Sequence, residues 1–470
     1  MATEALLRRF TQALGPAHVL TGGDTAPWAR DWTGAYQGEP AAVLRPADTA
    51  QVSAVLAIAH EAGTPIVPAG GRTGLTGATH APGAVVLSLD RLSRIREIRR
   101  EGRVAVVEAG VVLSHLHEAA EAEDLSFPLT LGARGSATIG GLLSTNAGGP
   151  NVLRHGNARD LCLGIEAVMA DGRVCDLMGA LHKDNSGYHL RDLLIGAEGT
   201  LGVITAATLK LAPRPRAHAT AMVALPALPP ALRVLNAVQD ATGGAVEAFE
   251  LMPRSYIEAW AAHTGGRRPF EGDWPVTIMI EVATTSDVDA APGPQGQSPL
   301  AERLETVLAA LLEDGTLGDA VIAQNEAQRA EIWARREAAA EVTFARRPFV
   351  DTDVALPLDL VADYLERIGP ALQAIDPGVG ELVVAHLGDG NIHYTAYPTR
   401  DDAALKDALR EAIDALATRM GGSFSAEHGV GLSKRASMAR HKDPAALAAM
   451  HGIKAALDPK GILNPGKVLP

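Results

Sequence analysis

Ala69-Gly70-Gly71-Arg72-Thr73-Gly74-Leu75-Thr76-Gly77-Ala78 holds four glycines and two threonines in ten residues. It follows Pro65-Ile66-Val67-Pro68, an apolar run of strand type, so its backbone N–H groups leave a strand end in a loop that can close around an anion. An ordinary glycine-rich turn has the same composition. The chain contains no GxGxxG, which argues against an NAD-type dinucleotide site. Upstream, residues 4 to 15 read as an amphipathic helix and Val43-Leu44-Arg45-Pro46 as a short strand. A helix over Thr49 to Ala62 follows, with Asp48 or Thr49 as N-cap and Gly63 beyond its end.

Downstream, strands are expected over Val85 to Leu89 and Val104 to Glu108 and a helix over Ser114 to Glu123. Then Leu131 to Gly149 forms a second glycine-dense stretch in which small side chains dominate. Residues that small let backbone lie flat against a planar ring and donate to it, as a flavin requires. Strands over Leu163 to Ala170 and Arg173 to Leu177, the polar loop Lys183 to Tyr188, the helix Leu190 to Ile195 and a glycine-bearing re-entry at Gly196 to Thr205 complete this part. At Pro213-Arg214-Pro215-Arg216 glycine density falls, and the strand and helix alternation that follows predicts an antiparallel sheet with helices on one face. One helix is expected over Glu326 to Phe344, and residues 286 to 299, rich in Pro, Gly, Asp and Ser, read as a flexible loop.

Within this second part, Glu381 to Leu387 and Asn391 to Tyr397 are strand-like, and Asp389-Gly390 between them is a hairpin turn signal. With those two as the loop, His386 faces His393 and their β-carbons stand ~4.5 to 5.5 Å apart. Two imidazoles at that spacing can chelate one divalent metal, with Glu427 as the candidate third ligand. On an arbitrary hairpin such a pair is more often a polar patch. Here, however, Glu427-His428 sits among glycines from Gly421 to Gly431, where packing explains a carboxylate and an imidazole poorly.

The 470 residues suffice for about two or three domains. A net charge of −13, from 55 acidic against 42 basic residues without a basic stripe, argues against nucleic acid as a partner. Cys162 and Cys175 have no paired spacing, so neither a disulfide framework nor a cysteine zinc site is indicated. The unpaired cysteines fit a reducing cytoplasm, and with no signal-peptide core and no long apolar run a membrane span is not expected, with peripheral membrane docking left open. Gly461 to Lys467 copies the start of a P-loop, but Val468 replaces the magnesium-holding Ser/Thr and no helix follows, so ATP is not expected there.

Seven blocks, taken in order, resemble the FAD-linked 2-hydroxyacid dehydrogenases of the vanillyl-alcohol-oxidase fold, a family that includes D-2-hydroxyglutarate, D-lactate and glycolate dehydrogenases. The blocks are Gly70 to Leu75, Ile139 to Gly149, Lys183 to Tyr188, Gly196 to Gly202, His386 to Asn391, Glu427 to Gly429 and Asp458 to Lys467. The resemblance implies an α+β protein: a two-subdomain FAD-binding domain (residues 1–216), an α+β substrate domain with an antiparallel sheet (217–420) and a C-terminal segment returning to the FAD site (421–470). It implies FAD contacts from Gly70, Gly71, Arg72, Thr73, Gly74, Gly77, Ser136, Gly140, Gly141, Thr145, Asn146, Gly148, Gly149, Glu198, Gly199, Gly202, Ile204 and Asn464. Relatives with covalent flavin carry a histidine where Arg72-Thr73 stands, so the FAD is expected to be non-covalent. His386, His393 and Glu427 correspond to ligands of a divalent metal, zinc or alternatively manganese. His428 is the expected general base and Arg336 the clamp on the substrate carboxylate, while the α-hydrogen leaves as hydride to flavin N5.

Ala340, Asp351 and Thr395 stand where the D-2-hydroxyglutarate enzymes resemble threonine, lysine and asparagine around the distal carboxylate. An Asp there repels a second carboxylate. A D-lactate-like or longer monocarboxylate is therefore expected over D-2-hydroxyglutarate, unless Asp351 points into a surface ion pair. D-2-hydroxyglutarate oxidation, non-redox group transfer on the same fold and a metal-only hydrolase are the alternatives. The resemblance also implies a homodimer and an electron acceptor such as an electron-transferring flavoprotein, a quinone or a cytochrome.

Overall fold

The structure is a computed structural model that describes residues 3–293 and 296–470. The chain divides into two compact units, one of residues 1–148, 156–213 and 427–470, the other of residues 149–155 and 214–426. These limits depart from the expected domains at three places, the first being residues 214–216, which group with the second unit. Gly149–His155 groups with the second unit, and residues 421–426 do so as well, so the C-terminal segment of the first unit starts at Glu427.

In the first unit, β1 (Val19–Leu20), β2 (Ala42–Leu44), β3 (Ile66–Ala69) and β4 (Val85–Ser88) form a sheet in the order β1-β2-β4-β3, parallel except at β1. The helix Thr49–Ala62 starts where Asp48 accepts from the Gln51 N–H and stops at Gly63 in the left-handed region. Its Val52, Val55, Leu56 and Ala59 bury against Leu44, Ile66 and Leu87. A second, antiparallel sheet joins β5 (Ile95–Arg99), β6 (Val104–Glu108), β8 (Cys162–Val168), β9 (Val174–Leu177) and β10 (Val203–Lys210) in the order β5-β6-β10-β8-β9. The short strands β7 (Leu125–Ser126) and β11 (Ala212–Pro213) pair separately. The second glycine-dense stretch contains a helix, Ile139–Thr145, whose period is masked in the sequence by two glycines in seven residues.

The second unit is a seven-stranded sheet of β12 (Ala217–Leu225), β13 (Val246–Pro253), β14 (Val276–Thr284), β15 (Asp319–Ile322), β16 (Val350–Ala355), β17 (Gly380–His386) and β18 (Asn391–Tyr397), ordered β15-β12-β14-β13-β17-β18-β16 and antiparallel throughout. Helices Ala231–Thr242, Pro299–Glu313, Val361–Ile375 and Ala403–Arg419 cover one face. The expectation of a one-sided sheet fails, since Tyr256, Ile257, Trp260, Ile332 and Val342, from helices Arg254–Thr264, Glu326–Glu337 and Ala339–Phe344, cover much of the other. The single helix expected over 326–344 is thus two, broken at Ala338. A short helix, Asp287–Ala290, lies in the expected 286–299 loop, of which residues 294–295 are outside the described set. Among the described residues no helix is long and apolar enough to cross a membrane.

Candidate active site

The glycine stretches of the first unit converge at the end of β3. A Cβ on Gly70 would meet the Thr138 hydroxyl at 2.3 Å, and one on Gly71 would meet the Ser136 carbonyl oxygen at 2.0 Å. The Glu198 N–H donates to the Ser144 carbonyl (2.8 Å), and Asn464 bonds through its N–H to Ile66 O and through Nδ2 to Glu198 O, both at 2.8 Å. A planar cofactor fits this lining. Thr138 Oγ1 and Asn464 Oδ1 are buried polar atoms with no partner in the protein, and such atoms call for a ligand or water.

Several expected cofactor residues contribute differently from their side-chain chemistry. Arg72 has a left-handed backbone, donates to Pro27 O and lies over Trp28, leaving its main chain for the loop. Thr145 Oγ1 donates back to Gly141 O (3.2 Å), and Ile204 is buried in the apolar core. Glu198 accepts from the Val430 and Gly431 N–H groups at 2.6 and 2.9 Å. Burial raises its carboxyl above the usual range against those two bonds. Its side chain therefore fastens the C-terminal segment. Gly149 falls in the second unit.

In the second unit the hairpin register differs from expectation. His386 pairs with Asn391 and Val384 with His393, giving a four-residue loop, Leu387–Gly390. Asp389 accepts the Asn391 N–H (3.0 Å), and the Gly390 N–H reaches back to His386 O (3.1 Å). The slip is two residues, so the histidines keep a common face as diagonal neighbours. Their ring centroids are 5.3 Å apart, edge to face, and their ligand nitrogens lie within 4.8 Å.

Two residues that sequence reading missed stand on this face. Glu250, opposite His386 on β13, is 1% exposed, and its Oε2 lies 2.8 Å from His386 Nδ1 and 2.7 Å from Arg336 Nε. Burial pushes its carboxyl up, but His386 and Arg336 overcome this and hold it below the ordinary range. Nδ1–H given to Glu250 leaves Nε2 as the metal-binding lone pair, the usual support of a ligating histidine. The second is Asn391, whose Oδ1 is buried without a partner beside His386. The donor set suits a borderline divalent metal.

Arg336, expected to clamp substrate, sets Nη2 3.4 Å from the His386 ring while Nε is engaged by Glu250. Ala426 donates its N–H to Asp353 O (3.0 Å), and Asp353 is the register partner of His393. Glu427 follows by one peptide bond. Glu427 and His428 lie in bends before Gly429 at φ +80°, with His428 Nε2 3.7 Å from Glu427 Oε1, so the alternation of a regular strand does not apply to them. Thr395 donates to Asp351 Oδ1 (2.8 Å), while Ala340 is exposed.

A second cluster, His218, Glu247 and Glu281, also brings ligand atoms within 4.8 Å. Arg154 and His155 hold Glu247, whereas Arg329, Thr220 and the Trp333 indole hold Glu281. These are closed ion pairs that fasten the sheet face.

Comparison with known proteins bears on the whole chain. The family model "FAD linked oxidases, C-terminal domain" matches residues 214–468, and "FAD binding domain" matches residues 40–178. A D-2-hydroxyglutarate dehydrogenase of Xanthomonas citri pv. viticola is 34% identical over 451 residues, 95% of this chain and 92% of that protein. The mitochondrial D-2-hydroxyglutarate dehydrogenase of Bos taurus is 35% identical over 461 residues, 97% of this chain and 82% of its own. Among solved structures, p-cresol methylhydroxylase with substrate bound has a TM-score of 0.74 at 16% identity, covering 99% of this chain and 97% of that one. Alkyldihydroxyacetonephosphate synthase has a TM-score of 0.72 at 15% identity, covering 99% and 85%. At such identities these two share the fold alone. Matched by family model over more than half its length and by close relatives almost end to end, the chain belongs to the FAD-linked 2-hydroxyacid dehydrogenases of the vanillyl-alcohol-oxidase fold.

Proposed function

We propose that this chain oxidises a D-2-hydroxy acid to the 2-oxo acid with non-covalent FAD and one divalent metal, zinc before manganese, and that it prefers a D-lactate-like or longer monocarboxylate over D-2-hydroxyglutarate. The observation that carries the reading is the histidine pair on one face with Glu250 on His386 Nδ1. When bound, the flavin supplies a two-electron acceptor at N5 and the metal a positive charge at the substrate oxygens. His386, His393 and Glu427 would hold the metal. His428 takes the hydroxyl proton as the C–H and O–H bonds break and the C=O forms. Arg336 meets the carboxylate with the Nη groups that Glu250 leaves available.

The substrate preference rests on Asp351, which faces Thr395 on the strand that carries His393. The relatives named for D-2-hydroxyglutarate favour that acid as the second reading. A cytoplasmic location, a homodimer and a flavoprotein, quinone or cytochrome as electron acceptor complete the proposal.

The test is an anaerobic titration of the flavin absorbance with D-lactate, D-2-hydroxyglutarate, glycolate and the L-acids, with and without a chelator. Selective bleaching by a D-monocarboxylate, abolished by chelation, is the expected result. Bleaching that ignores the chelator would remove the metal from the reading, and bleaching only by D-2-hydroxyglutarate would reverse the preference.

A further inference from the structure

We propose that Asp351 and Thr395 form a subsite for a hydrogen-bond-donating end of the substrate, best a protonated amine, on a 2-hydroxy acid of about five carbons. The inference deepens the hydroxyacid reading and rests on it.

Thr395 follows His393 by two residues on β18, so both point to the same face about 7 Å apart. Asp351 is the register partner of Thr395, as Asp353 is of His393. From carbon 2 of a chelated 2-hydroxy acid, an extended chain carries an amine on carbon 5 about 5 Å away, one step along this row.

The chemistry of the pair is one-sided. Thr395 is buried, and its single hydroxyl proton is given to Asp351 Oδ1 at 2.8 Å. What remains is acceptors only, namely the hydroxyl lone pairs and the carboxylate. Among the described residues that hydroxyl is the hydrogen-bond partner of Asp351, and no Lys or Arg nitrogen pairs with it. A methyl end would desolvate the half-exposed carboxylate without return, and a carboxylate end would add repulsion. An ammonium end supplies both proton and charge. A cation near this end of the row is Arg346, exposed, with its guanidinium 4.6 Å from the centre of the Tyr397 ring at the next position of the row.

Four D-2-hydroxy acids of equal length, ending at carbon 5 in ammonium, hydroxyl, methyl or carboxylate, are compared by kcat/KM with an artificial acceptor and by anaerobic flavin bleaching, in the wild type and in Asp351→Asn. The expected wild-type order is ammonium, hydroxyl, methyl, carboxylate, with ammonium ahead of methyl about 10- to 100-fold. In Asp351→Asn the ammonium-to-methyl ratio should fall near one and the carboxylate gain on both. Ammonium no better than methyl, or an advantage that persists in the variant, overturns the subsite. A wild-type preference for carboxylate also overturns it and assigns the far end to Arg346. Bleaching by methyl without an ammonium advantage rejects the subsite alone, whereas bleaching by none rejects the hydroxyacid reading and the subsite with it. Should the variant fail to fold, the wild-type series alone decides.

Discussion

Glu250 gives the histidine pair its chemical direction, and its removal separates two kinds of loss. Glu250→Ala leaves Arg336 buried without its partner and should cost about 3–5 kcal/mol of stability, measured by denaturant unfolding. Glu250→Gln keeps the size but weakens the hold on His386 Nδ1, and should lower metal affinity about 10- to 100-fold in a chelator competition. The sign of its pH dependence follows from its carboxyl being held below the unfolded value of 4.5. The stabilisation is present above that pH and is lost as pH falls through the folded pKa, so Glu250→Gln should flatten the acid limb of the stability profile. His386 and His393 were legible because a hairpin signal lies between them. Glu250 was not, because it comes from a strand 136 residues earlier whose pairing no local pattern specifies.

At the scale of elements, the β17–β18 hairpin shows how a turn can be located correctly and its register missed. Asp389-Gly390 marks the bend, but the Asp389 side chain captures the Asn391 N–H and widens the loop by two residues. Gly390 is held at φ +83°, and a Cβ there would meet Leu356 O at 2.2 Å. Gly390→Ala should therefore cost upwards of 1–3 kcal/mol in thermal unfolding and loosen metal binding through the adjoining His386. The two-sided covering of the sheet was also readable in principle. β14, Val-Thr-Ile-Met-Ile-Glu-Val-Ala-Thr, is buried at every position, and such a run signals burial on both faces. Glu281 and Thr277 within it obscured the signal, since a polar residue in a strand ordinarily indicates solvent. Here Arg329 and Trp333, one turn apart on the helix Glu326–Glu337, close over Glu281, and Arg336 one turn further closes over Glu250.

For the molecule as a whole, the fold class was legible through the family resemblance of seven ordered blocks, while the limits of the units depended on tertiary contacts. The C-terminal residues illustrate this. Ile462 and Leu463 are buried in the core beside β3, Leu463 bridges Ile66, and Asp458 accepts from both of their N–H groups. A chain ending at Leu457 should lose FAD and unfold its first unit at lower denaturant, while residues 214–426 remain resistant to limited proteolysis.

Because residues 427–470 complete the first unit, that unit cannot finish during synthesis until the whole second unit has been made. The usual order, in which the N-terminal body matures first, is inverted. On the ribosome the glycine loops stay unfinished while the seven-stranded sheet assembles, so cofactor capture comes after the second unit has been made.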